Sequence, residues 1–161
     1  MDAVVTHSFE GVRAAELLPV FADVESYPSF VPGFKSAKVL KRNGSEYNTK
    51  IVMVLEIGPF AYEEELDSVT KEDFPSSIEV YSTGSRFIRA FRNKWRFSDG
   101  PRGCDVAFEM TLEFGALPGL MRPMLAGLAQ MQAERILQAF VVRVESARHP
   151  CIRGASRQRG T

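Results

Sequence analysis

The chain has little of what would announce a chemistry. Its 161 residues hold two cysteines, two histidines and one tryptophan, and the formal net charge is zero. Cys104 alternates with apolar neighbours and Cys151 sits among polar ones, so the pair does not read as a disulfide framework. A reduced, cytoplasmic compartment is expected. His7 and His149 do not combine with two separated cysteines into a metal set. There is no glycine-rich phosphate loop and no nucleophile elbow. No catalytic residue, metal or cofactor is therefore expected. A zero balance makes the whole chain no polycation seeking nucleic acid. No run of about 18 apolar residues is present to cross a bilayer, and Met1-Asp-Ala-Val-Val-Thr-His lacks the charged-then-apolar pattern of a signal peptide.

What is present is ordered patterning. Apolar content of 45% and charged content of 25% suit a globular protein, and the length predicts one domain over 1–148. Residues 149–161 form a polar tail with Arg153, Arg157 and Arg159, expected to be disordered. Val4 to Glu10 reads as a strand. Arg13 to Val24 reads as a helix whose Pro19 argues for a late start or a kink. It runs into Tyr27-Pro28-Ser-Phe30-Val31-Pro32-Gly-Phe34, where the two prolines forbid a regular helix while the aromatics should pack inward.

Strands follow. Asn43-Gly44 is a hairpin signal. In Tyr47 to Ile57, Ile51, Met53 and Leu55 share a face. Gly58-Pro59 turns the chain into Phe60–Thr70, whose Glu63-Glu64-Glu65 run reads as a solvated surface. Ser77 to Ser82 is a shorter strand. In Arg86 to Phe97 strict alternation puts Phe87, Arg89, Phe91, Asn93, Trp95 and Phe97 on one face, and the cations Arg86, Arg92, Lys94 and Arg96 on the other. Cys104 to Phe114 alternates again, with Phe108, Met110 and Leu112 inward. From Leu120 to about Ala147 the period becomes helical, with Met121, Met124, Leu125, Leu128 and Met131 on the apolar side and Pro123 in the first turn.

Sequential hairpins predict an antiparallel sheet with one wet face. Seven long strands must curl, and only the last helix is large enough to cover the dry face. The expectation is an α+β fold: a curved seven-stranded sheet around a long C-terminal helix, with two short helical pieces after the first strand and an apolar tunnel between sheet and helix. Its walls would be Tyr27, Phe30, Phe34, Ile51, Met53, Leu55, Phe87, Phe91, Trp95, Phe108, Met110, Leu112, Met121, Met124, Leu128 and Met131. Arg89 and Asn93, on the same face, would serve a ligand head group as donors; otherwise Arg89 forms a structural ion pair near the sheet edge, with Glu64 as a candidate partner, or the inside and outside of this strand are exchanged. The segment carrying Leu117, Leu120, Met121 and Leu125 would be a gate, a membrane-docking tip or a buried loop.

The order of elements resembles the helix-grip fold of START-domain and birch-pollen-allergen-like proteins. The stretch Val24-Glu-Ser-Tyr27-Pro28-Ser-Phe30-Val31-Pro32, the strand near Lys38-Val39-Leu40, Asn93-Lys-Trp95-Arg96-Phe97 and the Phe108–Phe114 strand resemble the coenzyme Q-binding START proteins of the polyketide cyclase/dehydrase superfamily. Many of those proteins have a tryptophan after the second proline, where this chain has Gly33-Phe34. The resemblance implies a carrier for ubiquinone or a similar prenyl lipid, supporting respiratory electron transport or quinone biosynthesis. It also implies transient contact with the cytoplasmic face of the inner membrane (the matrix side of the mitochondrial one in a eukaryote). A similar bacterial branch implies an alternative, a toxin that blocks ribosomal subunit association. Its RNA contact here would be Arg86, Arg92, Lys94 and Arg96. A third reading is a polyketide aromatase/cyclase, which needs polar acid/base groups facing the ligand.

Overall fold

A computed structural model describes residues 1–83 and 85–148. The basic tail and Cys151 lie outside the described residues. Seven antiparallel strands form one sheet: β1 (Asp2–Glu10), β2 (Phe34–Asn43), β3 (Glu46–Ile57), β4 (Phe60–Asp73), β5 (Ser77–Thr83), β6 (Ile88–Asp99) and β7 (Gly103–Phe114). The spatial order is β1-β7-β6-β5-β4-β3-β2. Every strand after β1 pairs with its sequence neighbour, as the short polar turns dictate, and β1 closes the far edge against β7. Gly44, at φ +62°, makes the tight turn between β2 and β3 that Asn43-Gly44 predicts. Two helices, α1 (Ala14–Ala22) and α2 (Leu128–Arg148), lie on the concave face.

The ends of α1 are tied by side chains from elsewhere. Asp99 at the end of β6 accepts from the Ala14 amide at 2.8 Å, and Glu16 accepts from the Arg13 amide at 3.0 Å. At the other end the last carbonyls of a helix have no partners of their own. Here the Tyr27 phenol donates to the Phe21 carbonyl, and the Tyr47 phenol to that of Ala22 at 3.0 Å. Burial pushes both phenols above the ordinary tyrosine range, reinforced at Tyr47 by nearby Glu72. The aromatic-proline knot, a 3₁₀ segment over Val24–Ser29 leading to Phe34, thus stops α1 as well as lining the interior.

Two expectations of local structure need correction. The helix from Leu120 is broken. Gly119–Leu125 is a 3₁₀ segment, and α2 begins only at Leu128. Pro123 withholds an amide and Gly127 takes φ +76°, a conformation that a helix cannot contain. Met131 is also turned outward, 43% exposed. The buried stripe of α2 is Leu128, Ala133, Ile136, Phe140 and Val144 with their neighbours, and at about 100° per residue Met131 falls on the opposite side.

The second correction is in β6. The pairing slips from Ile88 opposite Phe114 to Ala90 opposite Glu113, so Arg89 is an extra residue in the ladder. The bulge reverses the alternation before it. Ile88 is buried, and Arg89 points to solvent with Glu113 at 3.4 Å. Arg89 therefore neither faces a ligand nor pairs with Glu64. Arg86 and Phe87 precede the strand rather than belonging to it.

Candidate ligand-binding face

The concave face divides into two parts with different contents. Beneath α1 and α2, aromatic rings fill the space. Phe21 stacks on Phe140 at 4.3 Å between centroids, and Trp95 stacks on Phe108 at 3.9 Å. Phe140 also meets Tyr27, Phe30 and Trp95 edge-on at 5.1–5.2 Å. Packing this close leaves little room. The cavity bounded by Phe21, Tyr27, Phe34, Tyr47, Ile51, Phe91, Asn93 and Trp95 measures about 30 Å³, room for about two waters and for no lipid tail. At this place the expected tunnel is closed, because the rings that should line it pack against one another.

Farther along the inner face of β3, β4 and β5, polar side chains interrupt the apolar ones. Thr49 on β3 faces Ser68 on β4, which faces Ser82 on β5, making a row of buried hydroxyls across three strands. Glu64, two positions beyond Leu66 on the same face of β4, lies opposite Met53 and is 2% exposed. This corrects the solvated reading of the acidic run. Glu63 and Glu65 do face outward, pairing with Lys35 and Lys50, but the middle carboxyl points in. Among the described residues, five buried side-chain oxygens of the concave face have no hydrogen-bond partner: Thr49 Oγ1, Glu64 Oε1, Ser68 Oγ and Ser82 Oγ on β3 to β5, and Asn93 Oδ1 on β6.

The cover over this part is thin. The 3₁₀ lip Gly119–Leu125 turns Met121 inward, where its sulfur accepts from the Tyr62 phenol at 3.4 Å. The Tyr62 ring lies 4.7 Å from that of Phe87, and Met124 packs over Gly58 in the β3–β4 turn. Leu120 stands 71% exposed, while Leu117, Met124 and Leu125 are half-buried against the core.

The expected residues therefore separate. Ile51, Leu55, Phe91, Asn93, Trp95, Phe108, Met110, Leu112, Met121 and Leu128 are buried on the inner side. Tyr27, Phe30, Phe34, Met53, Phe87 and Met124 are partly buried. Arg89 and Met131 are outside. Thr49, Glu64, Ser68 and Ser82 are inward residues absent from the expected walls, although Thr49 shares the face of Ile51 and Met53 in the sequence. The hairpin register fixed by Gly58-Pro59 carried the signal, since any pairing that puts Met53 inward puts Glu64 inward too.

The outer face of the sheet is not a free cationic surface. Lys94 pairs with Glu79 and Arg96 with Glu109, while Arg92 lies over the Tyr81 ring at 4.8 Å. Arg86 lies over the Phe87 ring. Among the described residues no group of three or more His, Cys, Asp or Glu side chains could hold a metal, and no helix is long and apolar enough to cross a membrane.

A curled antiparallel sheet, a C-terminal helix across it and an inward apolar face agree with what a family comparison finds. The family described as "Polyketide cyclase / dehydrase and lipid transport" matches residues 11–141. The chain belongs to this family. Solved structures agree on the fold. The Zhui aromatase/cyclase from Streptomyces sp. R1128 superposes with a TM-score of 0.74 at 15% identity, covering 97% of this chain and 99% of that one. A START superfamily protein from Mycobacterium smegmatis gives 0.66 at 19% identity, covering 91% and 97%. A STAR-related lipid transfer protein fragment from Xanthomonas axonopodis gives 0.62 at 13%, covering 89% and 93%. The family thus spans cyclases and lipid carriers, and this member has the helix-grip architecture of both.

Proposed function

We propose that this member of the polyketide cyclase and lipid transport family binds an amphipathic small molecule on the concave face and acts as its carrier. The observation that carries the reading is the unequal cover of that face. Helices seal the aromatic part, whereas a short 3₁₀ lip with an exposed Leu120 closes the part near the β3–β4 turn that holds Met53, Met121 and the buried Glu64. Methionines adapt to irregular shapes, and an apolar tail gains about 0.8 kcal/mol per buried CH₂. The finer proposal is a ring-headed prenyl lipid of the ubiquinone class, carried in support of electron transport or quinone synthesis. It would be loaded where Leu117, Leu120 and Leu125 touch a lipid surface.

An aromatase/cyclase is the second reading, and the buried carboxyl of Glu64 favours it. The ribosome-directed reading draws less support, because Lys94 and Arg96 have carboxylate partners. The test is native mass spectrometry with organic extraction of the protein purified from its own host. A co-purifying prenyl lipid at near-stoichiometric amount supports the carrier. An empty protein that also refuses added ubiquinone overturns the quinone assignment. Conversion of a poly-β-keto substrate by the purified protein would move the reading to the enzyme.

A further inference from the structure

A sheet edge presents backbone donors and acceptors to any strand that reaches it, and native sheets blunt their edges against this. The two edges here differ. β2 carries Lys35, Lys38 and Lys41, its pairing with β3 slips at two places, and Glu25 accepts from its Val39 amide at 2.9 Å. β1 has none of these devices. It pairs with β7 over Asp2–Glu10 without a slip and contains no lysine, arginine or proline. Met1 and Leu112 exchange both main-chain hydrogen bonds, at 2.9 and 2.8 Å, and the Gly11 amide donates to the Arg102 carbonyl at 2.9 Å. Bonding alternates along an antiparallel pair, so the odd residues of β1 turn to β7. The amides and carbonyls of Asp2, Val4, Thr6 and Ser8 therefore point away from the sheet. Among the described residues nothing pairs with them. All four residues are exposed, Val4 at 59%. The open edge stops at Glu10, whose carbonyl accepts from the Arg148 guanidinium at 2.7 Å.

We propose that this edge is an interface with a second copy of the chain, β1 against β1, antiparallel about a two-fold axis at Val5. The stretch open on both donor and acceptor runs from Asp2 to Ser8, and Val5 is its middle residue. In that register Asp2 lies opposite Ser8 and Val4 opposite Thr6, so each outward amide meets a carbonyl of the other copy. Val4 and Thr6 are both β-branched, which suits a cross-strand pair. A register centred on Thr6 sets the carboxylates of Asp2 and Glu10 against each other and runs into Arg148. The β2 edge of another copy is a poorer partner, being bulged and held by Glu25, and a β1–β2 contact does not close on itself. The two-fold pairing closes. It joins two seven-stranded sheets into one, with the helices of both copies on the same side.

The experiment is sedimentation equilibrium of the full chain at concentrations up to about 100 μM, where a dimer is expected. Thr6→Pro removes an amide that the fold does not use, a change an edge strand tolerates. Val4→Lys puts a charge on the edge. Each is expected to give a monomer with an unchanged denaturation midpoint, and if one fails to fold, the other decides. Val5→Cys reads the register. Across the free edge residue 5 faces its own copy in a non-hydrogen-bonded pair, close enough for a disulfide. Oxidised glutathione should therefore cross-link this variant faster than the parent. A parent that stays monomeric over the whole range overturns the inference. A dimer that survives both edge substitutions overturns its assignment to β1. A Val5→Cys dimer that cross-links no faster than the parent overturns the register.

Discussion

The two parts of the concave face are built from the same sheet and teach different things. Under α1 and α2 the inward residues are rings, they touch, and the interior is sealed. Across β3 to β5 hydroxyls and a carboxyl interrupt buried aliphatic residues such as Ile51, Leu55, Leu66 and Ile78, several polar atoms lack partners, and near the β3–β4 turn a 3₁₀ segment is the lid. The first arrangement is what stability asks of a core. The second is poor as a core and useful as a binding surface. Residues that look alike in the sequence, inward positions on alternating strands, thus separate into those that hold the fold and those free to meet something else.

The sharpest way to break the comparison is to empty the aromatic part. Phe140→Ala should lower stability by about 3–5 kcal/mol, because the fully buried ring touches Phe21, Tyr27, Phe30 and Trp95. Urea unfolding measures it, and a loss under 1 kcal/mol would show that this part is not the structural one. The opposite sign is expected across the sheet. Glu64→Leu removes an unpartnered buried oxygen and should raise stability by about 1–3 kcal/mol, read as a higher denaturation midpoint. A destabilised variant would mean that Glu64 has a structural partner.

Smaller effects refine the boundary. Tyr27→Phe deletes the donor to the Phe21 carbonyl and should cost about 1 kcal/mol at neutral pH. Burial holds this phenol protonated above its ordinary 10.0. A value raised on folding contributes fully below pH 10 and is lost as the pH climbs past it toward the folded value. Unfolding curves at pH 8 and pH 11 should therefore converge for Tyr27→Phe relative to the parent, and parallel declines would refute the assignment. Smallest of all, Leu120→Asp should shift stability by less than about 0.5 kcal/mol, as an exposed position does, while slowing ligand uptake from vesicles. Unfolding of this variant would place the lip in the core.

The architecture was legible because it rests on repetition. Alternation in Cys104–Phe114, Asn43-Gly44 and the helical period after residue 128 give sheet, turn and helix without reference to anything distant. What was not legible depends on single departures from repetition. One inserted residue at Arg89 reverses the parity at the start of β6, and no composition rule marks where a ladder slips. Glu64 hid inside a run of three carboxyls, although its alternation with Tyr62, Leu66 and Ser68 was there to be read. The break at Gly127 was masked by the apolar residues on either side of it, which satisfy the helical period while Pro123 and Gly127 refuse the helical backbone.

The pairing of β1 with β7 sets the timetable of folding. The amino terminus of Met1 donates to the Leu112 carbonyl, a separation of 111 residues. β1 precedes β7 in the chain, so it is made with Ala3, Val5 and Phe9 turned to one side and finds no strand to receive them until β7 has followed. The meander from β2 to β7 closes locally, one hairpin at a time, but the sheet's last edge waits for nearly the whole chain. Long-range closure of this kind slows folding and prolongs the exposure of an unpaired strand. An early-made strand that is the last to be seated is the segment a chaperone would find to hold.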